Sequence, residues 1–101
     1  MPEDIRDVFG AALLDLQYGE SPVGVRRFGE GLPREVMRIG ADNRGDTYRL
    51  AYTTALSDAV FVLDVFQKKS KRGISTPRRI LSRIRARLQS SAEYSRGDRS
   101  K

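Results

Sequence analysis

Apolar residues recur at three- and four-residue spacing through Ile5, Val8, Phe9, Ala12, Leu13 and Leu16, which predicts a helix over residues 3–18. Glu3 and Asp4 suit its positive start and Gly19 its end. Gly10 in its interior costs about 1 kcal/mol relative to alanine. From Glu20 to Pro33 the pattern breaks on Pro22, Gly24, Gly29, Gly31 and Pro33, so a loop is expected, with one short turn around Val25 to Phe28 and with Arg26 and Arg27 in solvent.

The period then changes to two. Met37 and Ile39 alternate with Val36 and Arg38 over 35–40, and Tyr48, Leu50 and Tyr52 alternate with Thr47, Arg49 and Ala51 over 46–53, with a polar turn at 41–45 between them. A third run, Ala59 to Gln67, is dense in β-branched and aromatic residues and reads as a strand with both faces covered. Short polar connections make these an antiparallel meander, with the first helix on its more apolar face. If Met37, Ile39, Tyr48, Leu50, Tyr52, Phe61, Leu63 and Val65 face that helix, then Arg38, Arg49, Asp64 and Lys68 share the opposite, open face. Cross-strand pairing of Asp64 with Arg49 or Arg38 is the expected use of the carboxylate.

Beyond Gln67 the chain turns basic. Lys68, Lys69, Lys71 and Arg72 crowd together before Gly73, after which Thr76 and Pro77 read as the N-cap and first residue of a helix reaching about Ser90. Its apolar stripe, Ile80, Leu81, Ile84 and Leu88, is narrow, and Arg79, Arg83 and Arg87 repeat at four-residue spacing. Each such like-charge pair costs roughly 0.2–0.5 kcal/mol in isolation, so an anion is expected alongside. Such a helix also suits an acidic partner protein or an anionic membrane surface. The Ser-, Arg- and Gly-rich segment 91–101 is expected to be a disordered tail behind a single domain of residues 1–90.

Composition sharpens this picture. Residues 1–67 carry 7 Lys/Arg against 11 Asp/Glu, a net of −4, whereas residues 68–101 carry 12 against 2, a net of +10. The C-terminal third faces a polyanion, of which nucleic acid is the commonest. The 101 residues contain no cysteine and no histidine. Disulfides, thiolate catalysis and sulfur or imidazole metal sites are therefore excluded, and no cofactor is expected. No apolar run approaches a bilayer span and the acidic start is unlike a secretion signal, so a soluble, cytoplasmic protein is expected.

No nucleophile–base pair, phosphate-cradling loop or metal-ligand spacing is present. One chemistry stays within reach of these residue types: metal-independent RNA cleavage, in which the RNA's own 2′-hydroxyl attacks and the protein positions the backbone and stabilises charge on phosphorus.

The run GDTYRLAYTTALSDAVFVLDVFQKKSKRGISTPRRILSRIRARL, residues 45–88, resembles the phage Gp49-like branch of the HigB toxins within the RelE/ParE toxin superfamily. YRLAY at 48–52, FQKKSKRGISTP at 66–77 and the closing RL at 87–88 carry the likeness. The segment PEDIRDVFGAALLDLQYGE resembles the family's first helix, which extends it over about residues 2–90. The resemblance implies a small α+β domain: an antiparallel sheet packed on an N-terminal helix, a basic C-terminal helix, and here no strand before the first helix. It implies the toxin of a type II toxin–antitoxin system, a ribosome-associated mRNA endonuclease silenced by a cognate helix-turn-helix antitoxin of the HigA type. Arg49 matches an arginine at the scissile phosphate, and Lys68 and Lys69 match the catalytic basic cluster. Arg38, Lys71, Arg72, Arg78 and Arg79 would hold the RNA backbone. Relatives commonly have histidine where Asp64 stands. The alternatives are a gyrase inhibitor resembling the ParE branch, and a non-catalytic remnant that binds RNA or its antitoxin.

Overall fold

The computed structural model describes residues 1–56, 59–68 and 76–99, the last three by backbone alone. Helix α1 (Glu3–Gln17) is followed by strands β1 (Arg26–Arg27), β2 (Met37–Asn43), β3 (Asp46–Thr53) and β4 (Phe61–Lys68) and by helix α2 (Arg78–Arg99). The strands form one sheet in the order β1-β2-β3-β4, each neighbouring pair antiparallel. This is an α+β fold with a helix against each face, and no strand precedes α1 among the described residues.

Local chemistry sets the boundaries. Gly19 takes φ 79° after α1, letting its N–H reach Leu16 O at 3.1 Å and that of Glu20 reach Asp15 O at 2.9 Å. These two bonds satisfy carbonyls the helix end would leave open. Between β2 and β3 the loop is shorter than the polar run suggests. Arg44 and Gly45, at φ 52° and 86°, form a two-residue hairpin turn, and positive φ at both positions matches the right-handed twist of the flanking strands. Pairing therefore continues through Ala41–Tyr48 and Asp42–Thr47 to Asn43–Asp46.

The sheet separates two apolar clusters. On one face Ile5, Phe9 and Ala12 of α1 pack on Ile39, Leu50 and Tyr52, with Tyr48 and Val65 beside them. On the other, Ile80 and Ile84 of α2 pack on Ala51, Leu63 and Phe66 together with Phe28, Leu32 and Val36. The second face is thus not the open surface expected from the sequence, since α2 covers part of it. Phe61 and Leu63 also change sides, joining the α2 cluster instead of the α1 cluster. The reason is an irregularity at Ala51/Tyr52: Ala51 pairs with Asp64 but Tyr52 pairs with Val62. The extra residue on β4 inverts side-chain alternation upstream and leaves Val65 and everything after it in the predicted parity.

Three further expectations give way, two of them around α2. Thr76 is not its N-cap. The first helical bonds run from Ile80 N and Leu81 N to Pro77 O, at 3.0 and 3.2 Å, while Thr76 gives its N–H and hydroxyl to the Glu30 carboxylate, both at 2.7 Å. The segment expected to be a disordered tail is helical through Arg99. Ser95 Oγ donates to Leu56 O at 2.9 Å, and Tyr94 meets Phe61 edge-on with ring centroids 6.4 Å apart. Val25 to Phe28 holds a strand, β1, in place of a turn.

Candidate functional site

The site starts from strand register. Arg38 pairs with Ala51, Arg49 with Gly40 and Phe66, and Lys68 with Thr47. Paired residues project to the same side, so Arg38, Arg49 and Lys68 all lie on the α2 face, as the alternation predicted. Each is the diagonal neighbour of the next, a spacing of about 7–8 Å between backbones. All three are partly exposed. Gly40, with no side chain, leaves room beside Arg49; a Cβ there would meet nothing nearer than Tyr48 O at 3.9 Å.

The electrostatics are those of cations held close together. Burial first, and then the charge of Arg38, push the Arg49 guanidinium below its ordinary value, while Glu30 pushes it back up. Arginine stays charged near neutrality, so the shift measures the cost of keeping that charge where it is. Arg38 Nε is buried with no hydrogen-bond partner among the described residues, and an unpaired buried donor costs about 1–3 kcal/mol. An anion on this face would relieve both. Glu30, which the loop reading passed over, supplies the opposing carboxylate. It stands between Gly29 and Gly31 at φ 52°, a left-handed backbone uncommon outside glycine, and fastens the chain just before α2.

Asp64 shares the face but not the expected partners. It is 6 % exposed and pairs with Arg83 Nη2 at 2.7 Å and Arg87 Nη1 at 3.0 Å, not with Arg38 or Arg49. Arg83 Nε adds a bond at 2.8 Å, and Arg87 Nη1 also donates to Leu63 O at 2.9 Å. The anion expected beside the α2 arginine ladder is therefore, for two of its three members, a carboxylate of the same chain. Arg78 and Arg79 form no ion pair among the described residues. They open a helix whose first turn has no acidic residue, so two cations sit at the positive end of its dipole. Because Tyr94 meets Phe61 while Arg83 meets Asp64, α2 runs antiparallel to β4, and its first turn lies toward Lys68. Lys69, Lys71 and Arg72 lie outside the described residues.

Arg26 was missed. Its Cα pairs with that of Arg38, which puts it on the cationic face beside Phe28; the signal was one of parity, hidden because β1 has only two residues.

Fold and site together define a class: a small α+β domain with a helix on each side of an antiparallel sheet and arginines and a lysine along the strip that α2 leaves partly exposed. A family model for the phage derived protein Gp49-like family (DUF891) matches residues 1–89, and the chain belongs to that family. No curated protein and no solved structure matches the chain significantly. Among the described residues no helix is long and apolar enough to cross a membrane, and no group of acidic side chains is placed to hold a metal ion.

Proposed function

We propose that this protein is the toxin of a type II toxin–antitoxin pair, of the HigB kind within the RelE/ParE superfamily, and that it cuts mRNA on the ribosome without a metal or cofactor. The observation that carries the reading is the diagonal of Arg38, Arg49 and Lys68 on one sheet face in a Gp49-like chain. In this reaction the 2′-hydroxyl loses its proton and attacks the adjacent phosphorus. A 2′,3′-cyclic phosphate forms, and the 5′-oxygen leaves as it takes up a proton. Arg49 binds the scissile phosphate and Lys68 stabilises the charge that develops on it. Arg38, Arg78 and Arg79 hold the flanking backbone, and Lys69, Lys71 and Arg72 belong to the same basic cluster in the sequence. A helix-turn-helix antitoxin of the HigA type would silence the protein in the cytoplasm.

The test is induced expression followed by mapping of mRNA 5′ ends, with and without the antitoxin. New ends inside translated messages, lost in Arg49→Ala and Lys68→Ala, are expected. Unchanged cleavage in both variants refutes the site.

A second reading, RNA binding without cleavage, has one observation in its favour. The chain has no histidine, Tyr48 and Tyr52 belong to the α1 face, and Tyr94 packs on Phe61 at the far end of the sheet from Lys68. None of these tyrosines is placed to move a proton at Arg49. Salt-sensitive RNA binding with no cleavage at any protein concentration would decide for it. Gyrase-linked DNA breaks with intact messages would point instead to a gyrase inhibitor of the ParE kind.

A further inference from the structure

We infer that the RNA surface does not end at Arg38 but continues onto the edge strand. Arg26, Arg38, Arg49 and Lys68 then form one file of cations that crosses all four strands and holds the backbone of a single RNA strand. The inference deepens the RNA reading above and rests on it.

The argument begins with β1. Only two residues long, it pairs Arg27 with Met37 and Arg26 with Arg38. Like charges directly opposite one another destabilise a sheet, and so short a strand has few other pairings to offset the repulsion. Arg38 carries that repulsion further, to its diagonal neighbour Arg49, whose guanidinium is pushed below its ordinary value by burial first and by Arg38 second. The buried Arg38 Nε, which has no hydrogen-bond partner among the described residues, stands midway along the file. Glu30, the carboxylate that Arg49 senses, already accepts two hydrogen bonds from Thr76. Four cations are therefore set in line, with repulsion between neighbours, and none of the four forms a salt bridge among the described residues.

The positions beside the file show which polyanion it fits. On the sheet these are Gly40, Asp42, Thr47, Ala51 and Asp64; among the described strand residues they add no second row of cations, which suits one strand of phosphates better than two. The aromatic side chains on this face near the file, Phe28 and Phe66, are buried at 4 % and 8 % and offer no platform for stacking bases. Contact is thus to phosphate and insensitive to sequence.

The experiment is fluorescence anisotropy of a short mixed-sequence RNA, single-stranded or annealed to its complement, titrated with the intact protein and its variants over a series of salt concentrations. Arg26→Ala is expected to weaken single-strand binding several-fold and to flatten the slope of log K against log salt by about 0.7, one phosphate contact. Arg26→Lys should restore the slope, and Arg27→Ala, on the other face, should match the intact protein. Arg26→Ala binding like the intact protein, equal loss in Arg27→Ala, or tighter binding of the duplex overturns the single file. No binding by the intact protein would overturn the file, whereas the reading it rests on falls only if no new mRNA 5′ ends appear on induction, so the two failures are distinguishable.

Discussion

Removing the Asp64 carboxylate should unfasten α2 from the sheet. Asp64 is 6 % exposed and receives Arg83 and Arg87 through contacts of 2.7–3.0 Å, while those arginines are 43 % and 50 % exposed. A hydrogen bond to a charged group contributes about 1.5–3 kcal/mol in a protein interior. Here one end of each pair is half in water, which screens it. After Asp64→Ala both guanidinium groups can turn outward, so neither is left buried without a partner, and the loss is about 2–3 kcal/mol in total. For a domain of this size that is a fall in Tm of roughly 10–20 °C. Asp64→Asn keeps the shape and one acceptor and should lose about half as much. The assay is urea unfolding followed by circular dichroism, run as a double-mutant cycle of Asp64→Ala with Arg87→Ala. A coupling of about 1 kcal/mol or more is expected. If Asp64→Asn and Asp64→Ala unfold within about 0.5 kcal/mol of the intact protein, the carboxylate is not what holds the helix, and its place on the face needs another explanation.

Thr76→Val removes one of the two donors held by Glu30 and should cost about 1–3 kcal/mol by the same unfolding measurement; an unchanged midpoint would mean that the start of α2 is secured elsewhere. Burial raises the Tyr52 phenol above its ordinary value, so the unfolded chain loses that proton first and stability falls as pH rises above about 10. Tyr52→Phe should flatten this alkaline limb, and equal slopes in the two proteins would refute it. Replacing Arg44 by asparagine, which tolerates positive φ in a two-residue hairpin, should raise stability by up to about 1 kcal/mol, read from thermal unfolding. Ser95→Ala deletes the bond to Leu56 O and should cost about 1 kcal/mol; no effect would show that the last turns of α2 do not secure the domain.

The alternation of β2 and β3 was legible because each strand keeps strict period two, and that alone places Arg38 and Arg49 on one face. For β4 the same rule failed upstream of Asp64 and succeeded downstream. A bulge adds one residue without leaving a Gly or Pro to mark it, and Phe61, Val62 and Leu63 are apolar in either parity. Lys68 was placed correctly because it lies beyond the bulge. The helical continuation past Ser90 was hidden for a different reason: Ser95 and Tyr94 look like tail residues until Leu56 O and Phe61 are brought beside them by tertiary contact. Glu30 was unreadable because its role depends on a left-handed backbone and on Thr76, forty-six positions away.

Asp64 is a buried acid on the face that carries the file of cations. Left unpaired beside that file, its charge would draw Arg38 or Arg49 across the sheet and compete with any phosphate for them. Arg83 and Arg87 prevent this by meeting the carboxylate from above. Two positive charges answer one negative, so the cluster as a whole is cationic. The four-residue arginine spacing of α2 therefore serves the sheet face twice. It anchors the helix, and it masks the carboxylate that would otherwise quench Arg49 and its neighbours. Arg83→Ala combined with Arg87→Ala should accordingly weaken RNA binding although both arginines are held by Asp64, because it unmasks that carboxylate, and adding Asp64→Ala should recover part of the loss. If the triple variant binds no better than the double, Asp64 exerts no field on the site and its role is confined to stability.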